Sequence, residues 1–282
     1  MLTGMSDEWR PPIPTGREDV LVEGFPPYLR ESVLPWLIAR MPHPTATRVS
    51  QEFMLGFQRR MKLDLGYTAS GSLDPEHVRN RLRKLDDATF TNLLSYAVHE
   101  AGWGISMRVE AHLSDGGSAW TVMKDGNNAV LTHRVSAGVA DAVAPVLAAS
   151  DAASRKLQEA WADAFGVNPR PSVAYGNAVV AVETAALSVI KITKQDPTLA
   201  DLFSILEAEN PKWELVLRDS DKAPGAKTLA AMLRTIWRGH ESRHGRPDYR
   251  DASIEEARAA VLLAATLVDW FTTGVVRPVS GK

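Results

Sequence analysis

From residue 136 to residue 271 the apolar residues of this chain recur every three to four positions, in one stripe after another. That spacing lines one face of a helix, whereas a half-buried strand alternates every second residue. Leu157, Trp161, Ala164 and Phe165 make one face, ended by Gly166. Tyr175, Ala178, Val179, Val182, Ala186 and Val189 make the next, with Ser172 placed to cap it. Asp196-Pro197 reads as a cap followed by proline at the first helical position, opening a helix with Leu199, Leu202, Phe203 and Leu206 inward that Asn210-Pro211 stops. A further helix follows Pro224-Gly225 and presents Leu229, Met232, Leu233 and Ile236. Ser253 with Glu256 is a capping box for the last, which carries Ile254, Ala257, Val261, Ala264, Val268 and Phe271. With a helix at about 136–149, bent near Pro145, these make six helices joined by short loops, the pattern of an antiparallel bundle.

The part before residue 136 is mixed. Residues 1–24 hold Pro11, Pro12, Pro14 and Gly16 with little apolar periodicity and read as a loosely ordered arm. Helical spacing appears over 28–40 and 50–63, and more clearly after Asp86 or Asp87, where Phe90, Leu93, Leu94, Ala97 and Ala101 form a stripe stopped by Gly102. Between 119 and 135 the period changes to two. Trp120 and Val122, then Leu131, His133 and Val135, alternate on either side of the polar turn Lys124 to Asn128, as in a β-hairpin. The expected fold class is mainly α: an arm over 1–24, a helical region with one hairpin over 25–135, and an antiparallel helical bundle over 136–282.

Composition narrows the function classes. The 282 residues include no cysteine, which rules out disulfides, thiolate zinc sites and cysteine nucleophiles and fits a reducing, cytoplasmic setting. Met1 to Pro14 is polar and proline-rich, with no apolar core of a signal peptide, and a membrane-spanning protein is not expected. A net charge of −2 argues against a protein that coats nucleic acid over its whole surface, and leaves room for a local basic site. No phosphate-cradling G-x-x-x-x-G-K-[ST] run is present, so no nucleotide cofactor is expected. Trp161, Trp213, Trp237 and Trp270 lie on or beside helix stripes and read as core or interface anchors.

The chemistry concentrates between the last two helices. Residues 234–250 hold five arginines, Arg234, Arg238, Arg243, Arg246 and Arg250, and two histidines, His240 and His244, against two acids. A solvated loop closing a helix C-terminus would show the same bias, because cations are favoured there. The stretch also contains Arg-x5-His twice, as Arg238 with His244 and Arg234 with His240. A guanidinium fork matches a phosphate at two points, and imidazole titrates near neutrality, so this pair could handle a phosphodiester without a metal. Glu183 interrupts the apolar run Val179 to Leu187, where a carboxylate needs a cation or several donors, so a pairing with Arg238 or Arg234 is expected.

The run Ala174 to Ala186 with Glu183 inside it, Asp196-Pro-Thr-Leu-Ala-Asp-Leu, Leu229 to Arg238 and then His244-Gly245 resemble the C-terminal domain of abortive-infection-type proteins, within the HEPN group of helical bundles. The resemblance covers about residues 150–282 and rests on the order of motifs. It implies a phage-defence-like protein whose bundle acts on or binds RNA as a homodimer, with Arg and His from both subunits meeting at a two-fold cleft. In that group an Arg-x4–6-His motif lies at or just before the last long helix and serves a metal-independent endoribonuclease. Carried over, Arg238 would hold the scissile phosphate and His244 would act as general acid or base. Glu183 would complete the catalytic set, with Arg234, Arg243 and Arg246 as further phosphate contacts. Gly239 stands where many members carry a polar amide after the Arg, which leaves a non-catalytic RNA-binding or helical interaction module as an alternative.

A rival pattern overlaps the first. His240-Glu241-Ser242-Arg243-His244 is a literal H-E-x-x-H, which on a continuous helix puts two imidazoles on zinc with Glu241 as general base. Gly239, Gly245 and Pro247 break up that stretch, and Arg243 and Arg246 oppose a divalent cation. A third ligand would have to be Glu255, Glu256 or Asp269. The resemblance needs no cofactor; zinc belongs only to the peptidase alternative.

Overall fold

The computed structural model describes residues 21–45, 47–68, 71–125, 128–220, 222–238 and 250–279. The chain is mainly α, with eleven helices and three two-stranded antiparallel sheets among those residues. It divides into two units between Arg134 and Val135.

The first unit runs through α1 (Pro27–Ile38), β1 (Val49–Ser50), α2 (Glu52–Met61), β2 (Ser72–Leu73), α3 (Pro75–Arg83), α4 (Asp87–Ala101), α5 (Trp103–Asp115), β3 (Trp120–Asp125) and β4 (Asn128–His133). Local chemistry explains most of the helix starts. Asp74 accepts from the N–H groups of Glu76 and His77 and is followed by Pro75 at the first helical position. Asp86 does the same for α4 through Thr89, and Gly102, at φ +69°, separates α4 from α5. The expected hairpin is β3 with β4, in register Val122↔Leu131 and Trp120↔His133. Val122 and Leu131 are buried, and the unit packs β3 on α5 and β4 on α4. The turn residues 126 and 127 lie outside the described residues. Glu110 on α5 secures the hairpin, accepting from Val122 N at 2.7 Å and Arg134 Nη2 at 3.0 Å.

One buried cation organises the first unit. Arg30 on α1 donates to the carbonyls of Phe25, Leu82, Arg83 and Leu85 and to Asp87 Oδ1 at 2.6 Å, with its guanidinium 4.5 Å from the centre of the Phe90 ring. It thereby closes the C-terminal end of α3, whose last carbonyls have no partner within the helix.

The second unit runs through α6 (Ala137–Ala148), α7 (Ala152–Phe165), α8 (Pro171–Val189), α9 (Asp201–Leu206), β5 (Trp213–Leu215), α10 (Gly225–Arg238), α11 (Ile254–Thr272) and β6 (Val276–Pro278). Its centre is α7, α8 and α11, packed through Leu157, Ala164, Ala178, Val182, Val261, Ala264 and Val268. α7 runs against α8 across a short loop. α8 and α11 start at the same end: Ser172 Oγ donates to Asp251 Oδ1 at 2.8 Å and accepts from Ala252 N at 3.0 Å. α7 finishes there too, its Ala164 carbonyl accepting from Arg258 Nε of α11 at 3.2 Å. α7 is therefore antiparallel to both neighbours, which share one direction because α9, β5 and α10 intervene between them.

α8 has the length and apolarity of a membrane span, yet much of it is core: Ala174, Ala178, Ala181, Val182, Ala185 and Ala186 are buried among α7 and α11. Two expectations change here. Ser172 does not cap its own helix but ties α8 to the start of α11. The helix expected from Pro197 is only α9, six residues from Asp201. Asp196 adopts a left-handed φ of +53°, and Asp201 draws in Lys194 Nζ and Thr198 N, which closes a turn before the helix.

Candidate functional site

α10 carries the first part of the Arg/His segment. Asp219 Oδ1 accepts from Gly225 N at 2.6 Å to begin the helix, and Leu229, Leu233 and Ile236 bury one face. Gly225 is where this start lies against β5: a Cβ there would come within 3.4 Å of Leu215 Cβ. α10 packs on α9 and β5 and is described as far as Arg238.

Arg234, one turn before Arg238, does not face Glu183. Both of its terminal nitrogens grip Glu207, Nη1 to Oε1 at 2.6 Å and Nη2 to Oε2 at 2.7 Å, and its guanidinium lies 4.7 Å from the Phe203 ring centre. The Arg234 fork holds the Glu207 carboxyl below the usual glutamate range. A guanidinium bound on both prongs by a carboxylate is neutralised with its partner, so Arg234 is a poor phosphate contact and serves as the clamp between α10 and the end of α9.

Glu183 is half-buried on α8, as its apolar surroundings suggest. Its Oε2 accepts from the backbone N–H of the fully buried Leu199 at 2.7 Å. The carboxylate thus satisfies a main-chain donor of the loop before α9, and the expected pairing with Arg234 is replaced by this bond. A buried N–H left without an acceptor is costly, which accounts for an acid inside an apolar run without invoking a reaction. The side chain of Arg238, and His240, Glu241, Arg243, His244 and Arg246, lie outside the described residues.

The segment returns at Arg250, whose Nη2 donates to Glu256 Oε1 at 2.5 Å. Glu256 Oε2 accepts from Ser253 N at 2.7 Å while Ser253 Oγ accepts from Glu256 N, the reciprocal cap expected from Ser-x-x-Glu. Both oxygens of Glu256 are therefore engaged, which removes it from the carboxylates that could join His240 and His244 on zinc. Among the described residues no three His, Asp or Glu side chains stand close enough to hold a metal. Arg250 to Ser253 are further anchored through Ser172, so the end of the Arg/His segment is fixed to the start of α8.

Three residues here were missed from the sequence: Glu207, Ser172 in its bridging role, and Arg258, whose guanidinium lies 5.4 Å from the Phe165 ring centre. Their partners are 27, 79 and 94 residues away, beyond any local pattern. Comparison with known proteins finds no match: no family model fits the chain, and neither a curated protein nor a solved structure is significantly similar to it.

Proposed function

We propose that the second unit is an abortive-infection-like, HEPN-type bundle that cleaves RNA without a metal, acting as a cytoplasmic homodimer in phage defence. The observation that carries this reading is the position of the Arg-x5-His segment. α10 is described as far as Arg238, and the last long helix, α11, opens at Ile254 behind a capping box, so in sequence Arg238 and His244 come before that helix in an α-helical unit. This is the arrangement that the resemblance requires.

In this reading Arg238 holds the non-bridging phosphate oxygens with its fork, helped by Arg243 and Arg246. One His244 takes the 2′-hydroxyl proton or supplies the proton that the 5′-oxygen needs on leaving. A second subunit's copy can fill the complementary role. The attack of O2′ on phosphorus expels O5′, so the products carry a 2′,3′-cyclic phosphate and a 5′-hydroxyl. On an ideal helix Arg238 and His244 lie about 120° apart, which is why two subunits, or a break at Gly239, are needed to bring an Arg and a His to one phosphate.

RNA cleavage by the full chain in excess chelator, lost in both Arg238→Ala and His244→Ala, is the expected result. Cleavage that persists in those variants sinks the assignment. Stoichiometric zinc that disappears in His240→Ala would instead establish the peptidase reading.

A further inference from the structure

We infer that the first unit carries a binding surface for the sugar-phosphate backbone of RNA, made by the C-terminal end of α2, the turn that follows it, and one flank of α3. This goes beyond the proposed cleavage site; the cationic surface stands without it, and the choice of RNA as the nucleic acid rests on that reading.

Residues 40–84 contain nine Lys and Arg against four Asp and Glu in a chain whose net charge is −2. Within this stretch the acids are mostly committed. Glu76 faces Arg79 and Arg83, Asp74 caps α3, and Asp64 Oδ1 accepts from Gly66 N at 2.8 Å. Arg83 is taken by Glu31 and Arg60 by Glu100 and the Tyr96 hydroxyl. Arg48, Arg59, Lys62, Arg81 and Lys84 have no acidic partner within salt-bridge reach among the described residues. These five retain their charge.

Their placement is contiguous. His77, Arg81 and Lys84 follow at i, i+4 and i+7 on the flank of α3 beside the buried Val78 and Leu82. Arg81 crosses to the turn after α2, donating to the carbonyls of Leu65 and Gly66. Arg59 and Lys62, both exposed, lie at the α2 end of that same turn. Arg48 donates to the side chain and carbonyl of Ser72, one turn ahead of α3.

Two of these guanidinium groups are ordered without being neutralised. Arg81 stacks 4.3 Å from the Tyr67 ring centre and bonds to neutral carbonyls, and Arg48 bonds to the neutral hydroxyl and carbonyl of Ser72. Neutral acceptors fix the side chain but leave the full charge, so the entropy of presenting a cation to a phosphate is already lost on folding. Gly66, at φ +70°, admits this arrangement, because a Cβ there would stand 2.7 Å from Arg81 Nη2. Lys62 takes the left-handed position after α2, at φ 53°, where glycine is favoured. The helix dipole favours cations in the last turns of α2 and α3, but it does not select a lysine for that backbone conformation.

A phosphate backbone fits this surface better than a lipid bilayer. Membrane-surface sites combine cations with an apolar face, and among the described residues here Leu63 is the one large exposed apolar side chain. Among the described residues of this surface Tyr67 is buried under Arg81 and Tyr96 is covered by Arg60 and Phe53, so no ring is offered for base stacking and binding is set by charge and not by sequence.

The test uses the full chain and a fluorescent single-stranded RNA of mixed sequence, titrated at several salt concentrations. Arg59→Glu with Lys62→Glu is expected to weaken binding at least ~10-fold at low salt and to flatten the log–log salt slope by about 1.4, two contacts at about 0.7 each. Arg59→Gln with Lys62→Gln, a milder change at the same exposed positions, should flatten the slope similarly while leaving the melting temperature unchanged. Lys191→Glu with Lys222→Glu, the same change in net charge on the second unit, should leave affinity within about twofold. Unchanged affinity in both α2 variants overturns the proposal. So does binding to phosphatidylserine-containing vesicles that needs Arg59 and Lys62 while RNA binding does not. If binding is lost in Arg238→Ala but kept in the α2 variants, this surface is refuted and the cleavage reading stands. If RNA binds through Arg59 and Lys62 but is never cleaved, the reverse holds.

Discussion

Buried polar groups in the first unit separate into those with a complete set of partners and those without. Arg30 meets five acceptors across α1, α3 and α4, and no other side chain has the same fan of donors. Arg30→Lys should therefore fail to conserve stability despite keeping the charge. We expect a loss of about 3 kcal/mol in denaturant unfolding, since an ammonium can satisfy at most three of those groups and leaves buried carbonyls bare. Tyr67 is the opposite case. Its hydroxyl is buried with no hydrogen-bond partner among the described residues, and burial pushes its pKa up. Tyr67→Phe removes a desolvated group at no cost in partners and keeps the ring under Arg81. A melting temperature equal to or above that of the parent protein is expected, and a fall of several degrees would mean that the hydroxyl has an acceptor after all.

At the scale of elements, the features legible in the sequence are those decided within four residues. Asp86 before α4 and Ser253 with Glu256 before α11 stand where the pattern puts them, because a cap needs only its own first turn. Asp74-Pro75 is an equally good start signal and opens α3, but the helix behind it is short and highly charged, with little apolar stripe to read. What the pattern could not show is decided at long range. β5 and β6 pair Glu214 with Arg277, 63 residues apart, and Leu199 N before α9 is taken by Glu183, 16 residues earlier. The same holds for the site: the density of Arg and His is visible as composition, whereas Glu207 taking Arg234 and Ser172 taking Asp251 are tertiary. The cap of α11 is itself testable. Ser253→Ala should cost about 1 kcal/mol. The Ser253 N–H donated to Glu256, with Arg250 beside it, lowers that carboxyl below the ordinary glutamate range. A depressed folded pKa stabilises the fold above the unfolded value and is lost as pH falls through it, so wild type should exceed Glu256→Gln in stability at neutral pH. That margin should begin to shrink near the unfolded glutamate pKa, at about pH 4.3, and be lost as pH falls further through the depressed folded value. A margin that instead grew toward acid would contradict the cap.

For the whole molecule, the division at Arg134 and Val135 has a consequence for how stability is distributed. Each unit has its own buried set: Leu29, Leu34, Phe57, Phe90 and Leu113 in the first, and Leu157, Ala178, Val182, Val261 and Val268 in the second. The second set is drawn from α7, α8 and α11, whose facing stripes are complete within residues 152–272, and β6 returns to β5 inside the same unit. A unit of 148 residues with a single closed core is within the range that folds independently. The fragment 135–282 should therefore be soluble, show a helical spectrum and melt in one cooperative transition, with the slowest hydrogen exchange in α8 and α11. A fragment that is unfolded, or that melts without cooperativity, would show that the first unit is required for the second to fold. If the fragment folds, it also separates the two proposed activities physically. Cleavage through Arg238 and His244 should then travel with residues 135–282, and salt-sensitive RNA affinity through Arg59 and Lys62 should be lost from it.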